Sequence, residues 1–129
     1  MGIKYITTQK AAKDCFLVAV FNALRYQYSL SPRDCRIIPG SYTRFYNTYK
    51  WILTSEGFNS TNVHSFLHLM GLYHYKGRLQ AKKPRIVLFK TGDINHYVFM
   101  PSAYEISGNT TKSITWIKNF KIQTWEIQL

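Results

Sequence analysis

Gln9, Cys15, His96 and Asn119 follow one another in an order that suits acyl transfer through sulfur. Such chemistry needs a thiolate, an imidazole to take and return its proton, a group to orient that imidazole, and hydrogen-bond donors for the oxyanion. Cys15 stands directly after a polar residue, Asp14, and opens a long apolar run. Asp14 therefore reads as an N-cap, and the sulfur falls on the first turn of a helix, where unpaired N–H groups and the macrodipole favour a thiolate. Gln9, six residues earlier, is placed to aim a side-chain amide at whatever the sulfur attacks, alongside the Cys15 backbone N–H. His96 opens an apolar segment far along the chain, next to a turn. Two hairpin foldings offer it an orienting partner. A two-residue turn at Ser107-Gly108 sets Asn119 opposite His96, whereas a turn at Pro101-Ser102-Ala103 sets Asn109 there. Asn119 is preferred, because Ile114 to Lys118 gives it an uninterrupted strand.

The elements that must hold these groups follow from pattern. From Cys15 to about Tyr28 nearly every position is apolar, the first polar ones being Asn22, Arg25 and Gln27. A helix apolar almost all round belongs in the middle of its domain. Before it, Lys4 to Thr8 is extended; after it, Ser31-Pro32-Arg33-Asp34 starts a short helical turn carrying Cys35. Phe45, Tyr49, Ile52 and Leu53 recur at the helical period within Tyr42 to Ser55, with Gly57 as C-cap. A third helix is capped by Ser60 or Thr61, buries Val63, Phe66, Leu67 and Met70, and stops at Gly71. Past Pro84 the texture turns to strand: Arg85 to Lys90, a turn over Thr91 to Asn95, then His96 to Met100, with Tyr104 to Ile106 continuing beyond Pro101. Ser107 to Thr110 supplies turn residues, and Ser113 to Lys118 and Ile122 to Gln128 alternate as strands do. Helices first and strands second predict an α+β domain, a helical half with a buried central helix packed on a C-terminal antiparallel sheet.

Composition bounds the rest. The 129 residues suit a single domain over 1–129. No run of about 18 apolar residues spans a membrane, and the N-terminus lacks the layout of a secretory signal. Two cysteines make no disulfide framework, which points to a reducing cytoplasm. His64, His68 and His74 lack a carboxylate or a further ligand nearby and read as helix-surface histidines, so neither metal nor cofactor is expected. The net charge is +11, from 17 Lys+Arg against 6 Asp+Glu. No acid occurs between Gly57 and Gly92, where Lys76, Arg78, Lys82, Lys83, Arg85 and Lys90 accumulate. Such a patch attracts polyanions, whether nucleic acid, an acidic peptide or an anionic protein surface.

The run Gln9, four residues, Asp14-Cys15 and an apolar helix resembles the papain-like cysteine peptidases. It is closest to the bacteriocin-processing (double-glycine leader) peptidase group in a stand-alone form. Gly71, Pro84-Arg85-Ile86-Val87-Leu88 and His96-Tyr97-Val98 match that group's order over roughly residues 5 to 120. The resemblance implies a papain-like fold, a peptide or protein substrate, Cys15 as nucleophile, His96 as general base and Gln9 as oxyanion donor. Three features depart from the group. Phe16 stands where Gly is usual, Asn119 where Asp is usual, and no transporter is expected behind the domain. Phe16 is also the nearest aromatic that would cover the sulfur. A basic face suits acidic substrate segments. The competing reading is a non-catalytic protein on the same scaffold, a phage or mobile-element factor that docks on nucleic acid or a host protein through the Lys76 to Lys90 surface.

Overall fold

The computed structural model describes residues 5, 14–30, 40–53, 63–72, 84–91, 94–101 and 121–128. In them three helices precede three strands, an α+β arrangement. Helix α1 (Cys15–Leu30) runs 16 residues, and everything from Phe16 to Leu24 is buried, Asn22 included. It ends two residues past the apolar run to about Tyr28 that the sequence marks. No helix among the described residues is long and apolar enough to cross a membrane.

Helix α2 (Tyr42–Tyr49) is capped by Ser41, whose hydroxyl accepts from the Thr43 N–H at 3.1 Å. The periodicity predicted one helix to Ser55. Instead the chain tightens into a 3₁₀ turn over Lys50–Ile52, after which Leu53 is extended. Gly57 lies outside the described residues. Helix α2 joins α1 through rings: Phe21 meets Tyr42 at 5.5 Å and Phe45 at 5.3 Å. Arg25 reinforces that seam, with its guanidinium 4.6 Å over the Phe21 ring and Nη2 donating to the Gly40 carbonyl.

Helix α3 (Val63–Leu69) stops as the sequence predicts. Gly71 has φ 76°, the Leu72 N–H reaches back to the Leu67 carbonyl, and the Gly71 N–H to that of His68, each at 3.0 Å. Those two bonds are a Schellman ending, and the left-handed backbone is why the position is glycine. Phe66, Leu67 and Met70 face the core.

Strands β1 (Arg85–Thr91), β2 (Ile94–Met100) and β3 (Lys121–Gln128) form an antiparallel sheet in the order β2-β1-β3. The hairpin between β1 and β2 is tighter than a five-residue turn: Lys90 pairs with Asn95 and Thr91 with Ile94. His96 is therefore the third residue of β2 rather than its first, and pairs with Phe89, which pairs in turn with Ile122. Alternation along each strand sends Ile86, Tyr97 and Phe99 into the cluster built on α1. Val87, Val98 and Met100 occupy the other face and are buried as well.

Arg85 corrects one expectation. As the first residue of β1, paired with Met100, it is only 7% exposed, and its guanidinium lies 4.0 Å from the Met100 sulfur. It belongs to the sheet and not to an exposed basic patch. Lys76, Arg78, Lys82 and Lys83 lie outside the described residues.

Candidate active site

The sulfur's position is fixed from three sides. Asp14 is fully buried, and its carbonyl accepts the Val18 N–H at 3.1 Å, so α1 begins where the N-cap reading places it. Cys15 follows, half-buried and packed against the core. Phe16 is wholly buried, its ring 4.9 Å from Tyr97 in an edge contact and 5.8 Å from Phe66. The aromatic after the cysteine thus serves as the bolt between α1, α3 and β2.

That bolt brings β2 up to the sulfur. The Tyr97 backbone N–H donates to Cys15 Sγ. The amide nitrogen is joined to His96 through a single carbonyl carbon, so the His96 Cα lies about 2.4 Å from it by standard backbone dimensions. Pleating alone sends the His96 and Tyr97 side chains to opposite faces. A strand's N–H groups, however, lie near the plane of its sheet. A sulfur receiving one therefore lies beside the strand at the Tyr97 amide. His96 is half-buried with its Nε2 enclosed. The structure brings together Cys15 and the His96–Tyr97 peptide. Gln9, Asn119 and Asn109 lie outside the described residues, as does the hairpin that would pair Asn119 with His96. Among the described residues β3 borders β1, and β2 borders β1 on its other side.

The electrostatics differ from what a helix N-terminus alone suggests. Burial pushes the Cys15 thiol above its usual range; the Tyr97 N–H opposes this, the Asp14 charge adds to it, and the Phe16 and Cys15 N–H groups oppose it again. Desolvation is the largest of these effects, so the group at rest is a thiol. Tyr42 was not singled out by sequence reasoning. Its hydroxyl donates to Asp14 Oδ2 at 2.5 Å, across 28 residues of chain. Burial, followed by that hydrogen bond and the Asp14 charge, holds the Tyr42 hydroxyl far above the usual tyrosine range. Burial and the neighbouring Cys15 push Tyr97 up to about 12. No local pattern signals the Tyr42–Asp14 contact; a polar residue at the first position of a helix with an aromatic face was its one trace. No group of three His, Cys, Asp or Glu that could hold a metal occurs among the described residues.

Cys15, Tyr42 and Tyr97 are acids whose folded values all lie above their unfolded ones. Their stabilisation is complete below the unfolded values, about 8.5 for the thiol and about 10 for the phenols, and falls as pH rises beyond them. The melting temperature should decline above about pH 8.5 and more steeply above about pH 10. In Tyr42→Phe the steep upper part should flatten; a wild-type profile level to strongly alkaline pH would contradict the assignment. No family model, no curated protein and no solved structure matches this chain.

Proposed function

We propose that this chain is a cysteine peptidase of papain-like architecture, with Cys15 as nucleophile and His96 as its proton carrier. The hydrogen bond from the amide after His96 to the Cys15 sulfur is the observation that carries the reading. It sets the histidine-bearing strand against a sulfur on the first turn of a buried helix, the two parts that sulfur-based acyl transfer needs side by side.

The chemistry runs as follows. The thiol proton passes to the His96 imidazole, and the thiolate adds to the substrate carbonyl carbon. The resulting oxyanion accepts hydrogen bonds from the Cys15 N–H and the Gln9 side-chain amide. As the C–N bond breaks, the leaving amine takes the proton from His96. Water, deprotonated by His96, then hydrolyses the thioester and releases the carboxylate product, restoring the thiol. Asn119 orients the imidazole without adding charge, so the ion pair rests on thiolate–imidazolium attraction. Transfer to ammonia, or deamidation of a glutamine side chain, would use the same acyl-enzyme.

One observation favours the non-catalytic alternative, a polyanion-binding protein on this scaffold: burial leaves the Cys15 thiol protonated at rest. The rate of iodoacetamide alkylation across pH separates the two. In a peptidase His96 takes the thiol proton, so labelling at neutral pH should run faster than so buried a thiol allows by itself, and His96→Ala should remove that excess. An ordinary thiol profile, unchanged in His96→Ala, would leave the binding protein, whose polyanion affinity should fall steeply with salt and with Lys82→Glu/Lys83→Glu.

A further inference from the structure

Helices α1 and α2 share a buried polar contact. Tyr42 is the first residue of α2, held there by the Ser41 cap, and its hydroxyl donates to the Asp14 carboxylate. Asp14 is also the residue from which α1 starts, and the next residue carries the sulfur. A buried carboxylate is costly to maintain unless donors hold it. Beside a nucleophilic sulfur it has a second effect, since its charge opposes that of a thiolate. The Tyr42 hydroxyl, pointed at one carboxylate oxygen, draws some of that charge away from the sulfur. Of the titratable groups around Cys15, Asp14 lies on its own helix, Tyr42 and behind it Tyr46 come from α2, and Tyr97 comes from β2, one residue after His96.

We propose that the Tyr42–Asp14 pair is a positioning element of the Cys15 site. It anchors the residue before the sulfur to α2 and sets how much carboxylate charge the sulfur faces. The proposal rests on the reading of Cys15 as a nucleophile and adds its regulation. Asp14 and Tyr42 act through the thiol and touch no substrate.

Two variants pull in opposite directions. Asp14→Asn keeps an oxygen that can accept from Tyr42 and removes the charge. Its alkylation midpoint should move to lower pH, with labelling about three- to tenfold faster at neutral pH. Tyr42→Phe keeps the charge and removes the donor, so its midpoint should move up and labelling slow by a similar factor. A purely structural pair would lower the melting temperature without splitting the two midpoints. Midpoints that stay at the wild-type value, or that move in the same direction, would overturn the proposal. Repeating both variants in a His96→Ala background separates the two readings. If His96→Ala has no effect of its own while the opposed shifts persist, the peptidase reading falls and the Tyr42–Asp14 role stands.

Discussion

Replacing His96 with alanine should lower kcat for peptide cleavage by on the order of a thousandfold or more, with little change in KM. The size of the loss follows from the resting state of the sulfur. Burial keeps Cys15 protonated, and its three backbone N–H neighbours do not reverse that. A thiolate therefore forms only if another group accepts the proton, and His96 belongs to the peptide that touches the sulfur. Cys15→Ala should cost as much, and the double variant little more than either alone, because the two groups work as one unit. On the proposed reading Asn119→Ala should cost less, since an orienter would be lost while both reacting groups remain. The measurement is steady-state hydrolysis of a fluorogenic peptide library by the wild type and each variant. A His96→Ala protein that cleaves as fast as the wild type would sink the assignment.

The largest effect on stability is expected at Phe16. Phe16→Ala removes a fully buried ring that meets Tyr97 on β2 and Phe66 on α3. Truncating such a residue costs about 3–5 kcal/mol, against a total domain stability of roughly 5–15 kcal/mol. For a chain this long the melting temperature should fall by about 10–20 °C. Leu30→Ala is the control: that side chain is 65% exposed at the end of α1 and should change stability by less than about 0.5 kcal/mol. Thermal melts of the two variants decide it. A Phe16→Ala protein that melts with the wild type would mean the ring is no bolt between sheet and helices. The site should fail along with the fold, since the same ring holds β2 where its Tyr97 amide meets Cys15.

What the sequence disclosed was local. The apolar run after Asp14 marked α1, Gly71 marked the end of α3, β-branched content marked β1, and alternation marked β3, while β2 was read from His96, two residues late, because caps, period and backbone freedom act within a few residues. Chain order pointed to Cys15 at the start of α1 and to the strand that carries His96, though His96 stands third in β2 and the amide that meets the sulfur is Tyr97's. What depended on distance in space was hidden. Asp14 read as a cap, and nothing nearby announced that Tyr42, on another helix, would bond its carboxylate. Arg85 looked like one more cation in a basic stretch; its place as the first residue of β1, paired with Met100 across the hairpin, sets it inside the sheet. Phe16 looked like a cover for the sulfur, and only the packing of three elements turns it inward. The thiol's ionisation was misjudged for the same reason. A helix N-terminus can be read from sequence, but the desolvation that outweighs it comes from residues far along the chain.

A sulfur that rests as a thiol is also guarded. Peroxides and disulfides react with thiolates, so burial that withholds the anion slows sulfenic acid formation and mixed-disulfide capture alike. Damage to Cys15 would then track the moments when its proton has moved, and a site idle in an oxidising medium would keep its nucleophile intact.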